Sequence, residues 1–470
     1  MKQAMNSYPK LTLLLFGLAV VLRLLLCSQN PPNNSFDDHY EPISLILKTG
    51  EVPRKDACFE CYNPPVFYTI SAITANALDA LGCDASTVQK ILQFQNCFYN
   101  ILSLLVIFLI TKRIPFLTDF PRFIAFGTVC FLPRHIYMAA IFSNDNLCYL
   151  GVAICSYLIL VIMDRGWNWS RTALLSITAS LTIFVKYTGF VVLPMITLPL
   201  CIDAIRQSPE RKNKYFVMLF VTLLPPLLLL GSYMMNNYDE YGKMLPWNDN
   251  FINTSQVQPR DSEPLNFVSF TPWQYMRQPL QTPGQLHSFW TLIYTNTWFD
   301  TEPKFLHFTD WDKDWWNLYW SWRTGETTFP AGRTPLSGLT HIVAIGLLTL
   351  GIIPLCMVIS GLYNTIRTIL LSKEDFFRHK PVFQFFILLV TNTTIVIWLA
   401  VKAPVFSSMK ASYLLSSLPA FGIFNAIGIQ LLENKRMMRF VFSLTLVLLV
   451  VFTSLHIMHI AWSVNLWKYQ

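Results

Sequence analysis

The sequence predicts an all-α polytopic membrane protein with about eleven transmembrane helices, and three observations predict it. Of 470 residues, 53% are hydrophobic and only 13% charged, where a soluble domain carries about 25% charge to cover its surface. The apolar residues fall into successive runs near the ~20 residues that a bilayer requires of a helix. Lysine and arginine gather in alternate connections between those runs, as they do in cytoplasmic loops. The formal net charge of +8 is explained by those loops and implies no nucleic-acid partner.

In order, the runs are 11–27, 91–110, 123–141, 147–163, 172–187, 189–205, 215–235, 339–363, 382–401, 413–432 and 440–461. The first is read as a retained helix, because no clean small-residue cleavage site follows it. With the N-terminus cytoplasmic, each inner connection is basic: Lys112, Arg113 and Arg122; Arg165 and Arg171; Arg206, Arg211, Lys212 and Lys214; Arg367, Lys373, Arg378 and Lys380; Lys435, Arg436 and Arg439. Moving one span in the middle would place half of these clusters outside. The C-terminus is then periplasmic or lumenal, and the membrane is a bacterial inner membrane or the endoplasmic reticulum.

Two polar regions face that outer side. The first, 28–90, contains an apolar stretch at 66–82, which is expected to lie along the membrane face because counting it as a span would invert every later loop. The second, 236–337, is rich in Trp, Asp, Pro and Thr. The chain thus divides into an N-terminal module (1–235), a large outer loop (236–337) and C-terminal helices (338–470). No internal repeat points to the two halves of an alternating-access carrier.

Candidate chemistry clusters on the outer side. Asp37 and Asp38, with His39 and Glu41, follow the first span. A carboxylate there can activate a hydroxyl or hold a cation beside a phosphate. Asp145 stands in the next outer turn, Phe142 to Leu147. Lys186 and Tyr187 fall in the turn after the fifth run, and Lys402, Lys410 and Tyr413 in the turn after the ninth. Each lysine taken alone is explained by snorkelling from a helix end. Acids and bases together on one side point to a mixed site for an anion such as a lipid phosphate. In the large loop, Asp310, Asp312 and Asp314 alternate with Trp311, Trp315, Trp316, Trp320 and Trp322 and are followed by Arg323. Tryptophans there suit either a sugar ring or the headgroup region. Asp37 with Asp145 would suit a divalent metal ion, although no strict ligand spacing demands one and no cofactor is otherwise indicated. Cys58 and Cys61 form a C-x-x-C that fits a redox pair, half a zinc site or a structural staple, of which a local disulfide is preferred. Seven of the ten cysteines lie in or beside apolar stretches as small hydrophobes. Asn33 and Asn253 head sequons on the outer side.

These motifs resemble the GT-C superfamily of glycosyltransferases that use lipid-phosphate sugars, in the branch of protein O-mannosyltransferases and lipid A aminoarabinose transferases. The acidic segment is Phe36 to Glu41; Tyr62-Asn63-Pro64-Pro65 leads into the membrane-parallel helix; Ser143 to Leu147 is the S-x-D-x-L turn. Lys186 to Pro194 and Lys410 to Pro419 are the basic segments. The resemblance covers most of the first 200 residues and the last 70, while the large loop matches nothing specific. It implies a GT-C-type fold and a glycosyltransferase that moves a sugar from a polyprenyl- or dolichyl-phosphate donor to a glycan, lipid or protein hydroxyl, with inversion. Asp37, Asp38 and Asp145 would be catalytic. Lys186, Lys410 and Arg323 would hold the donor phosphate, with Lys410 standing where arginine is common. His39, Glu41, Tyr62, Asn63, Tyr187, Tyr413, Trp315 and Trp316 would line the substrate. The rivals are a transporter or flippase of lipid-linked sugars, whose charges would line a passage through the membrane centre, and a noncatalytic binding subunit, whose charges would be dispersed.

Overall fold

The computed structural model describes residues 8–32, 38–246, 267–277, 279, 288–299, 338–371, 373–402 and 409–467, and every regular element among them is helical. Helix α1 (Tyr8–Gln29) shows why the chain belongs in lipid. Leu13, Leu14 and Val21 face outward, whereas Arg23 is fully buried. That inverts the pattern of a water-soluble helix, because a lipid surface rewards apolar exposure and leaves an ionisable group only the bundle interior.

Two short helices follow, α2 (Tyr40–Thr49) and α3 (Val66–Ala80). Long apolar helices then alternate with tight connections: α4 (Ala85–Lys112), the pair α5 (Asp119–Cys130) and α6 (Pro133–Ala140), α7 (Asp145–Arg165) and α8 (Trp169–Ile183). A 3-10 turn (Tyr187–Val191) opens α9 (Val192–Ile205), and α10 (Pro209–Tyr241) follows. Next come α11 (Pro272–Arg277), α12 (Phe289–Trp298), α13 (Gly338–Leu350), α14 (Ile352–Leu371) and α15 (Lys373–Lys402). A second 3-10 turn (Ala411–Ser417) leads into α16 (Leu418–Leu432), and α17 (Arg436–Trp467) closes the described chain. Four connections leave their helix or turn through a glycine with positive φ, at Gly50, Gly82, Gly166 and Gly242.

Among the described residues, nine helical segments are long and apolar enough to cross a membrane, or ten if α5 and α6 count as one broken span. This agrees with the expectation of about eleven to within one or two spans. The shortfall is α8, whose 15 residues reach only ~22 Å at 1.5 Å per residue, against a hydrocarbon core of ~30 Å. It nevertheless packs on α7 and returns the chain to the height of Asp145, where Lys186 meets that carboxylate. The run expected at 123–141 is a broken helix, because α5 and α6 bend by 45° at their junction. Pro133 is the cause: it has no N–H to continue the ladder, and it begins α6 at the first helical position.

The expected large loop is not wholly polar surface. Helix α12, drawn from it, buries Phe289, Leu292, Ile293, Tyr294 and Trp298 and packs on α6 and the second 3-10 turn. Elsewhere the helices approach closely through small residues. A Cβ on Gly428 would run into the carbonyl oxygen of Met357, and one on Gly361 into that of Phe424, which locks α14 against α16.

Candidate active site

The site grows from the turn Ser143–Asn144–Asp145–Asn146, where all four side chains are buried. Asp145 opens α7, so its carboxylate sits at the positive end of the helix dipole. Its neighbours are tied down separately. Asn144 donates to the carbonyl of Val185 at 3.4 Å, and Asn146 to that of Met138 at 2.6 Å. Ser143 Oγ donates to Asp145 Oδ2 at 3.4 Å.

Lys186 arrives from the end of α8. The 3-10 turn after it starts with Gly189 N–H donating to the Lys186 carbonyl at 2.8 Å. Gly189 lies against the carbonyl oxygen of Thr182, where a side chain has no room. That reversal aims Lys186 Nζ at Asp145 Oδ1, 2.7 Å away, with only 12% and 8% of the two side chains exposed. The ring of Tyr413 lies 5.3 Å from the same ammonium. Tyr413 belongs to the second 3-10 turn, which is held to α7 by the Tyr149 hydroxyl donating to the Ser412 carbonyl at 2.7 Å. Lys410, half-buried, heads this turn and accepts from Tyr413 N–H at 3.2 Å.

The segment after α1 folds over this centre. Tyr40 stacks on Phe142 at 4.3 Å and Phe67 packs on it at 5.2 Å, three residues before Asp145. Val66 N–H donates to the Phe184 carbonyl at 3.0 Å, and the Tyr187 hydroxyl to the Tyr62 carbonyl at 2.9 Å. A disulfide joins Cys58 to Cys61 with Cα atoms 5.1 Å apart. It shapes a buried polar group in which Asn63 donates to Glu60 Oε2 at 2.6 Å, His39 Nδ1 meets the Tyr68 hydroxyl at 2.8 Å, and Glu60 lies 3.8 Å from that imidazole. Lys55, also buried, donates to the Asn63 carbonyl at 3.2 Å and lies 4.9 Å from the Tyr233 ring. Burial pushes its ammonium pKa down to about 8, with Glu240 opposing the shift.

The fold therefore gathers Asp145, Lys186, Tyr187, Tyr413, Tyr62, Asn63 and His39 at one end of the bundle, with Lys410 beside them. Asp38 caps the start of α2, its Oδ1 accepting from Tyr40 N–H at 2.9 Å. Glu41 is exposed on α2. Asp37, Arg323, Trp315 and Trp316 lie outside the described residues. No three His, Cys, Asp or Glu side chains gather as a metal cage among the described residues.

Four buried groups escaped the sequence reading: Lys55, Glu60, Arg23 and Arg134. The last two carried a usable signal, since an ionisable residue inside an apolar run marks the bundle interior and often function. Arg23 on α1 donates to Asn100 Oδ1 at 2.8 Å, to the carbonyls of Ala19 and Cys130 at 2.9 and 3.0 Å, and meets His135 Nδ1 at 2.9 Å. Asn100 in turn donates to Asn146 Oδ1 at 2.8 Å, which connects the buried arginine to the turn holding Asp145.

No family model and no curated protein matches the chain. Among solved structures, it is similar to the Archaeoglobus fulgidus oligosaccharyltransferase in its apo form, with 12% identity and a TM-score of 0.49 over 94% of this chain and 56% of that one. The same enzyme in complex with Zn and sulfate gives 13% and 0.48, over 94% and 53%. ArnT from Cupriavidus metallidurans bound to undecaprenyl phosphate gives 12% and 0.36, over 88% and 76%. The chain thus spans just over half the length of the oligosaccharyltransferases it matches, and likenesses this loose leave its chemistry to its own residues.

Proposed function

We propose that this chain is a membrane glycosyltransferase of the GT-C type, which transfers a sugar from a polyprenyl- or dolichyl-phosphate donor to an acceptor hydroxyl at the non-cytoplasmic face. One observation carries the reading: a buried carboxylate–ammonium pair, Asp145 with Lys186, sits at one end of an apolar bundle beneath a disulfide-shaped segment rich in polar side chains. A passage for a transported solute would set such charges along the membrane centre, and a binding scaffold would scatter them.

In this reading the donor lipid lies among the helices and its sugar–phosphate bond reaches the Asp145 end. Asp145, with Asp37 or Asp38, accepts the acceptor's hydroxyl proton as the oxygen attacks the anomeric carbon. The bond to phosphate breaks, and cations at the site, Lys186, Lys410 and Arg323 among them, offset the charge developing on the leaving group. A single displacement inverts the anomeric carbon. Purified protein incubated with a panel of polyprenyl-phosphate sugars and acceptors tests this. Inverted product, lost in Asp37→Asn or Asp145→Asn, is the expected result. A retained anomeric configuration would overturn the single displacement, and no product with any donor and acceptor would overturn the transferase.

A further inference from the structure

Lys186 is one of three cations expected to hold the donor phosphate, with Lys410 and Arg323, yet its charge is already balanced by Asp145. Two guanidinium groups are more fully buried. Arg23 is fully buried and spends its Nε, Nη1 and Nη2 on neutral acceptors. That set explains it as a structural clamp between α1, α4 and the α5–α6 junction. Arg134 is 1% exposed, and neither its Nε nor its Nη1 has a hydrogen-bond partner. No carboxylate among the described residues pairs with it. A desolvated cation with two donor nitrogens unbonded and no paired carboxylate is among the least favourable arrangements in a protein interior.

Its place says what it is for. Arg134 precedes His135, whose ring faces Arg23 and Ser103. Successive helical residues point about 100° apart, so Arg134 points away from that clamp. Its helix packs on the second 3-10 turn, and one helical turn beyond Arg134 the Met138 carbonyl accepts from Asn146, next to Asp145, at 2.6 Å. Helix α12, which packs on α6, adds Asn296, 1% exposed with neither amide atom bonded. A buried guanidinium fork with donors left over suits an oxyanion, and phosphate above all.

We propose that Arg134 is the cation that receives the phosphate of a phosphorylated lipid, one helical turn along α6 from the Met138 carbonyl that holds the turn of Asp145. This rests on the transferase reading and changes its charge assignment: Lys186 holds Asp145 in place, and Arg134 supplies the net attraction for the anion. The test uses the full chain in lipid nanodiscs, with a polyprenyl monophosphate, the polyprenol of equal length and inorganic phosphate as probes. The wild type should prefer the phosphorylated lipid to the alcohol by roughly tenfold or more. Arg134→Gln should lose that preference, and Arg134→Lys should keep part of it. Displacement by inorganic phosphate would show that the anion alone is recognised, and its failure to displace would show that the lipid must carry it; both support the site.

Ligand-free melting separates this from a structural role, because removing a cation without an internal partner should leave the Arg134→Gln melting temperature unchanged or raised. A preference retained in Arg134→Gln would overturn the inference and leave the transferase reading standing. A lowered melting temperature, or failure of that variant to fold, would also overturn it. A wild type that does not distinguish phosphate from alcohol would overturn both.

Discussion

Asp145→Asn removes the charge from one partner of a buried pair and leaves the other, so its cost follows from geometry. The 2.7 Å contact has 12% of Lys186 and 8% of Asp145 exposed. A solvent-exposed pair is worth about 0.2–1 kcal/mol, while breaking a buried one costs about 3–5 kcal/mol, mainly because a charge is stranded without its partner. The lower end applies here, since the Tyr413 ring 5.3 Å from the ammonium still offers the stranded Lys186 about 0.5–1 kcal/mol. We therefore expect Asp145→Asn to destabilise the protein by about 3 kcal/mol. Adding Lys186→Met should recover most of that loss, because the double variant strands nothing. The assay is a double-mutant cycle by reversible unfolding in mixed detergent micelles, with a coupling of at least about 2 kcal/mol expected. Coupling within about 0.5 kcal/mol of zero, the additive limit, would refute the claim that the two side chains form one buried unit.

Three further outcomes follow from the same kind of reasoning. Lys55 titrates at about 8 when docked against an ordinary 10.5, so between those values the undocked state binds more protons and docking strengthens as pH rises. Protection of residues 51–64 from hydrogen exchange, corrected for intrinsic rate, should increase from pH 7.5 to 10, with a ceiling of about 3 kcal/mol; constant or falling protection would contradict it. Arg23→Met strands Asn100 Oδ1 and the Cys130 carbonyl, and should cost about 2 kcal/mol or more in the same unfolding assay. Gly428→Ala drives a Cβ into the Met357 carbonyl and should cost about 1–3 kcal/mol, whereas Gly17→Ala, with open space around it, should cost nothing measurable.

Much of the architecture was legible because hydropathy and loop charge report directly on lipid. The helices expected at 11–27 and 147–163 fall within α1 and α7. The short α8 and the bend before Pro133 were harder to read, because an apolar run continues through both and shows neither length nor direction. The site was half legible. Asp145 and Lys186 were each picked from a turn on the expected outer side, and only the fold, through the Gly189 reversal, could bring residues 41 apart to 2.7 Å. Glu60 and Lys55 look like ordinary loop charges until the Cys58–Cys61 disulfide and Tyr233 enclose them. Arg23 and Arg134 were visible as charges inside apolar runs, but a sequence cannot tell that one is fully bonded and the other is not.

The most direct test of the central claim follows free polyprenyl phosphate and acceptor consumption together, in wild type and Asp145→Asn, with the protein in nanodiscs. We expect lipid phosphate to appear mole for mole with glycosylated acceptor in the wild type, and both to fall by roughly a hundredfold or more in a variant that still binds the donor. Equal rates in the two proteins would contradict the catalytic role of Asp145. Movement of intact donor between the two membrane leaflets, with no phosphate released, would contradict the transferase.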